Sequence, residues 1–186
     1  MGSTRGDRVY LWWCHSLVDF AKLDVRIGHI LEAKIHPDAD SLYVEQIDLG
    51  EEGGPRTIVS GLVRHVTLED LVGRRVVVLA NLKPRSMRGV KSAGMLLCAA
   101  NEDHTVVEPL RVPDTAVTGE RVWAGDEALL SLEPATPNQV QKKKIWEAVQ
   151  PLLRVNAQGV ATVAGEAMVT SAGPLTAPTL IDAAIS

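Results

Sequence analysis

The sequence predicts a mainly β protein, a small barrel or sandwich of short strands followed by an α+β extension. Three observations carry that reading. Short β-type runs separated by turn residues recur between residues 25 and 123, with little helical periodicity among them. The run at residues 75–80 (RVVVLA) is continuously apolar, β-branched and too short for a helix, so it reads as a buried strand. Beyond residue 124 the pattern changes to one amphipathic helical stretch and one compact hairpin.

The elements follow in order. Residues 1–21 form a segment of no assigned role, whose apolar stretch 9–18 (VYLWWCHSLV) is far shorter than the roughly 20 residues that span a bilayer. No small-x-small cleavage site follows it, so a packed N-terminal segment is expected in place of an export signal. Residues 25–33 alternate as a first strand, with Gly28 marking a bend. His36-Pro37-Asp38-Ala39-Asp40-Ser41 is a turn cluster, and residues 42–49 and 56–60 are further strands. Thr67 caps one or two helical turns. A loop at 81–91 joins the apolar run to another strand at 94–100, and strands at 105–109 and 120–123 complete the set. In the extension, Asn138 is expected to cap a helix through Gln150, residues 159–163 and 166–170 to form a hairpin, and residues 171–186 to be a loose tail. The expected division is therefore 1–21, a barrel at 22–123, and an extension at 124–186.

The 186 residues are 46% hydrophobic and 23% charged, which suffices for a real core and excludes a disordered or collagen-like chain. Cys14 and Cys98 make neither a disulfide framework nor a zinc spacing, so reduced thiols in a cytoplasmic protein are expected. The net charge of −4 argues at first against a nucleic-acid partner. Its distribution argues otherwise. Residues 1–73 carry −5 and residues 92–186 carry −5, whereas residues 74–91 hold six cations and no acid. Four of these, Lys83, Arg85, Arg88 and Lys91, lie within nine residues of one loop that Pro84 stiffens and Gly89 turns. Charge alone leaves two readings of that loop, a polyanion-binding surface and a merely solvated one.

The stretch Lys83-Pro84-Arg85-Ser86-Met87-Arg88-Gly89-Val90-Lys91-Ser92-Ala93-Gly94-Met95 resembles the signature loop of the tRNA-binding domain of endothelial monocyte-activating polypeptide II. The same domain occurs in Arc1p and at the C-termini of some methionyl- and tyrosyl-tRNA synthetases. Leu23-Asp24-Val25-Arg26-Ile27-Gly28, the cluster from His36 to Val44, and Thr57-Ile58-Val59-Ser60-Gly61-Leu62 agree in order and spacing, and KKKIWE at 142–147 is similar to a helix of the longer members. The resemblance implies an OB-fold five-stranded barrel with a C-terminal α+β extension packed against it. It also implies structure-dependent, largely sequence-non-specific tRNA binding that raises the affinity of an aminoacyl-tRNA synthetase, in cis or in trans, for tRNA. The extension implies a monomer. By position the implied tRNA-binding residues are Asn81, Lys83, Arg85, Ser86, Met87, Arg88, Lys91, Ser92, Arg26 and Lys34.

Other motifs weigh less. His36, Asp38 and Asp40 have metal-ligand chemistry, but Pro37 and Ser41 favour an Asx-type turn, so no metal is expected. No nucleophile, base and oxyanion site assemble, so neither an enzyme nor a cofactor is expected. Tyr43 is the one ring in the barrel before residue 120, in a strand, so phosphate and shape readout are expected over base stacking. Lys142–Lys144 read as a solvated helix face. Two alternative functions remain. One is a cytokine-like signal carried by residues 26–32; the other is a scaffold subunit of a multi-synthetase complex, docking through residues 9–20 or the C-terminal region.

Overall fold

A computed structural model describes residues 5–186; residues 1–4 of the expected N-terminal segment lie outside the described residues. The central sheet is built from β1 (Val25–His36), β2 (Ala39–Asp48), β3 (Arg56–Ser60), β4 (Arg75–Leu79) and, later in the chain, Met95–Leu96. These five strands are antiparallel in the order β3-β2-β1-β4 followed by Met95–Leu96. The sheet curls until its ends nearly meet. Ala93 N–H donates to the Thr57 carbonyl at 2.9 Å, and Val59 N–H donates to Ser92 Oγ at 3.0 Å. Arg56 completes the closure by donating to the carbonyls of Ala80 (2.6 Å) and Ala93 (3.1 Å) while two of its nitrogens grip Glu51. The result is the expected five-stranded barrel.

The apolar run at 75–80 is buried because β4 serves two cores. Val76, Val78 and Ala80 face the barrel interior with Ile30, Ile47, Ile58 and Leu96. Val77 and Leu79 point the other way, into a second core shared with the extension. A strand covered on both faces needs no polar alternation. Gly28 does not bend β1. It pairs with Val76, and a Cβ there would lie 2.7 Å from Ile47 Cγ2, so the glycine permits close packing. The register of β1 against β2 shifts instead at two places, between Ile30 and Glu32 and between Ile35 and His36.

The short α2 (Leu68–Leu71) starts at Thr67, whose hydroxyl accepts from Asp70 N–H, as expected of a cap. The N-terminal segment is α1 (Arg5–Ala21), with Leu17 and Phe20 buried in the second core. No helix among the described residues is long and apolar enough to cross a membrane.

After the barrel's basic hairpin, β5 (Arg85–Met87) and β6 (Val90–Ser92), the chain enters β7 (Met95–Leu96) and then β8 (Cys98–Ala100). The expected single strand at 94–100 is thus split at Leu97, where the chain leaves the barrel for another sheet. That sheet also contains β9 (Val107–Pro109), β10 (Trp123–Ala124), β11 (Leu153–Val155), β12 (Ala161–Val163), β13 (Glu166–Thr170), β14 (Gly173–Pro174) and β15 (Ala184–Ile185). The hairpin β12–β13 turns at Ala164-Gly165, as the sequence indicates.

Two expectations about the extension are corrected. Residues 171–186 are not a loose tail. Leu175 and Ile185 are fully buried, β15 pairs with both β8 and β11, and Ser186 and Cys98 exchange backbone hydrogen bonds at 3.0 Å. The helical stretch is also not one helix capped by Asn138. The cap is Thr136, in a reciprocal capping box with Gln139 and with Pro137 in the first turn of α3 (Pro137–Lys142). Lys144, at φ 51°, then breaks the axis before α4 (Ile145–Val149). On a straight helix at 3.6 residues per turn, Val140 and Val149 fall on opposite sides. The break lets both be buried.

Candidate nucleic-acid interface

The cationic stretch is not an open loop. β5 and β6 pair in the register Arg85↔Ser92, Ser86↔Lys91, Met87↔Val90, closed by the two-residue turn Arg88-Gly89. Both turn residues have positive φ, 52° and 89°, the geometry of a type I′ turn whose twist matches that of the strands. Gly89 adopts it freely; Arg88 does so as a solvent-exposed residue at the tip.

Strand alternation sorts the charges. Arg85 and Met87 share a face with Ser92, and together with Lys83 they line a cleft at the barrel mouth. Ser86 and Lys91 stand opposite one another on the other face, both exposed. Lys83, Arg85, Ser86, Arg88 and Lys91 are all exposed, so the structure brings these expected site residues onto one projecting ribbon and the segment that leads into it.

Other expected site residues are placed elsewhere. Asn81 is 6% exposed. Its amide donates to the carbonyls of Lys22 and Ala135, both at 2.9 Å, and its oxygen accepts from Asp24 N–H at 2.8 Å. Ser92 is 4% exposed, with Oγ between Val59 N–H and the Gly94 carbonyl. In both, the polar atoms are hydrogen-bonded within the scaffold from which the hairpin projects. Arg26 is engaged as well, with Nε 2.8 Å from Asp24 and a terminal nitrogen 3.8 Å from Glu51. The hydrogen bond to Asp24 holds its guanidinium more firmly protonated than usual. Lys34 is exposed near the end of β1. Residues 26–32, the stretch of the alternative signalling reading, bury Ile27 and Ile30 at 0% exposure while Leu31 and Glu32 are exposed.

The family described as "Putative tRNA binding domain" matches residues 25–121. The chain belongs to this family. Its barrel and extension superpose on the crystal structure of the C-terminal domain of Plasmodium vivax p43 with a TM-score of 0.79 and 38% identity, covering 91% of this chain and all of that one. It is 51% identical over 84% of its length to the "Probable methionine--tRNA ligase" of Oryza sativa subsp. japonica. It is 49% identical over 80% of its length to the "Aminoacyl tRNA synthase complex-interacting multifunctional protein 1" of Mus musculus. The chain spans 19% and 46% of those two proteins. The family it joins is one of binding domains, and the synthetase names of its relatives belong to much longer chains.

In this tRNA-binding-family domain, His36 is a residue whose part the sequence did not reveal. It is 2% exposed, and Nε2 lies 3.0 Å from the Met87 carbonyl while Nδ1 lies 3.0 Å from Asp38 N. A carbonyl only accepts and an amide N–H only donates, so the ring is the neutral tautomer with its proton on Nε2. It pins the basic hairpin to the β1–β2 turn, and the turn's side-chain-to-backbone bond comes from this histidine instead of the expected Asx-type bond of an aspartate. The expected outcome for His36→Ala is a loosened hairpin. Amides of residues 86–91 should exchange about tenfold faster, as befits one lost buried hydrogen bond. Unchanged exchange there would show that the hairpin holds itself.

Glu45 is a second unforeseen residue. It is fully buried beneath the cleft and accepts a hydrogen bond from Ser60 Oγ at 2.5 Å, while Oε2 has no partner among the described residues. Burial pushes its carboxyl pKa up to about 7, against a smaller opposing effect of the Ser60 hydroxyl. Burial likewise pushes the neighbouring Cys98 thiol up to about 12, so it stays protonated and inert.

Proposed function

We propose that this chain binds tRNA through the β5–β6 ribbon, reading the shape and backbone of the folded RNA with little base discrimination. The observation that carries this reading is one hairpin projecting Lys83, Arg85, Arg88 and Lys91 from a closed barrel, with no acid between residues 74 and 91. Phosphate contacts need charge that is held in place, and the I′ turn and the His36 anchor hold it. Burial of Tyr43, 3% exposed with its hydroxyl donated to the Val66 carbonyl, removes the barrel's own ring from base stacking.

Residues 22–123 are the RNA-binding unit in this reading, and 124–186 the extension that covers its outer face and keeps it monomeric. The module is non-catalytic and cytoplasmic, and it raises the tRNA affinity of an aminoacyl-tRNA synthetase in cis or in trans by tethering. The similarity to methionine–tRNA ligases and to a synthetase complex-interacting protein supports that partner class.

Filter binding of unfractionated tRNA at two salt concentrations tests it. About four phosphate contacts give a slope of log K against log salt of roughly −3 to −4. Lys83→Ala/Arg85→Ala/Arg88→Ala should bind at least tenfold more weakly, with a slope shallower by about 2. Wild-type affinity in the triple variant sinks the site assignment.

One observation favours a second reading, a scaffold. Leu11 and Trp12 are 65% and 55% exposed on a helix whose other side, Leu17 and Phe20, is docked. Deleting residues 1–16 would abolish synthetase pull-down, with tRNA binding intact, if that face recruits the enzyme.

A further inference from the structure

The cleft beneath the basic hairpin has a volume of about 460 Å³ and is lined by residues of the barrel, the hairpin and the extension. Lys83, Arg85 and Met87 belong to its hairpin side, Ser60 to its barrel side, Cys98 to β8 of the second sheet, and Trp146 comes from α4 in the extension. None of the lining side chains is an aspartate or glutamate, and Ser186, just after β15, also borders the cleft. The volume falls within the range of about 300–1,000 Å³ typical of small-molecule sites, which suits one nucleotide and excludes a duplex. Trp146 packs against the second core while remaining half-buried, so it is held in place and still borders the cleft. Ser60 donates its proton to the buried Glu45, which leaves the Ser60 oxygen free to accept from a ligand N–H.

We propose that this cleft takes a single unpaired nucleotide of the bound RNA, its base against Trp146 and its phosphates on Lys83 and Arg85. The proposal rests on the RNA-binding reading of the hairpin and adds a second mode of contact to it. The two faces of the hairpin then differ in task. Ser86 and Lys91, facing away from the cleft, meet duplex phosphates, and Arg85 serves the extruded nucleotide. An aromatic ring beside cations is the combination by which proteins hold single-stranded bases without sequence preference.

The test uses the full chain and two fluorescein-labelled probes at one fixed salt concentration, a single-stranded RNA octamer and a blunt RNA duplex. Trp146→Leu should weaken octamer binding about five- to fiftyfold, the range expected for one lost base stack, while duplex binding changes less than twofold. Trp146→Phe should keep octamer affinity within about threefold of wild type. Because Trp146 also packs on the core, Gly61→Leu supplies an independent variant. Gly61 lines the cleft, a Cβ there meets nothing within 4 Å, and its φ is not in the left-handed region. Gly61→Leu should narrow the cleft and reproduce the selective loss of octamer binding. Equal losses on both probes, or no loss with either variant, overturn the proposal. Wild-type binding of tRNA without measurable octamer binding overturns it alone. Failure to bind tRNA at all removes the hairpin reading together with it.

Discussion

Asn81→Ala should lower stability by about 3–5 kcal/mol and leave the intrinsic affinity of the folded protein for tRNA nearly unchanged. The residue sits in the stretch whose resemblance implies RNA contact, but its amide is buried and committed. It ties Lys22 at the end of α1, Asp24 at the start of β1, and Ala135 ahead of α3 into one junction. Each partner left unsatisfied costs roughly 1–3 kcal/mol, and three are lost together. In a protein of this size that corresponds to a fall in Tm of about 6–15 °C. Asn81→Asp keeps the acceptor for Asp24 N–H but loses both donors, so it should fall at or below the alanine variant once the carboxylate ionises beside two carbonyls. Thermal melts give the first quantity, and a tRNA titration well below the melting range gives the second. A variant with wild-type Tm and weakened tRNA binding would return Asn81 to the interface.

Glu45→Gln should change how stability depends on pH. The carboxyl titrates near 4.5 in the unfolded chain and at about 7 in the fold, raised by burial. The native state therefore holds this proton more tightly than the unfolded state does. The stability it confers is complete below pH 4.5, declines as pH rises from there through about 7, and is absent above. A shift of this size corresponds to about 3 kcal/mol across that window. Glutamine keeps an oxygen for the Ser60 hydroxyl and carries no ionisation. The difference between variant and wild-type stability in urea should thus grow from near zero at pH 4.5 to about 3 kcal/mol in favour of the variant at pH 8. Parallel pH profiles would show that Glu45 gains water or a counter-charge in solution.

Much of this was legible in the chain. Strand content, the buried run at 75–80, the Thr67 cap and the β12–β13 turn follow from local chemistry, because β-branching, alternation and turn residues act over a few positions. The cationic stretch was visible as charge distribution, since no acid interrupts it. What was not legible depends on neighbours distant in sequence. Asn81 and Ser92 lie among the exposed cations and share their polarity, and only their partners 57 and 33 residues away show that they are spent on the scaffold. The tail at 171–186 looks loose because its small residues lack periodicity; pairing with β8 and β11 gives it order. The capping box at Thr136 and Gln139 was a signal present in the sequence and missed, because Asn138 offered a competing cap.

The sequence by itself determined that this protein has a β barrel, an extension, and one basic stretch set between two acidic flanks. Composition and short-range pattern suffice for those. Only the tertiary structure decided which cations are free, since an arginine such as Arg26 differs from Arg85 by the carboxylates folded beside it. Only the tertiary structure, too, placed Trp146 at the cleft of a barrel whose own ring is buried. Local chemistry sets what each segment forms. Function depends on which surfaces the closed barrel and its extension leave exposed, and that is settled when distant segments compete for the same core.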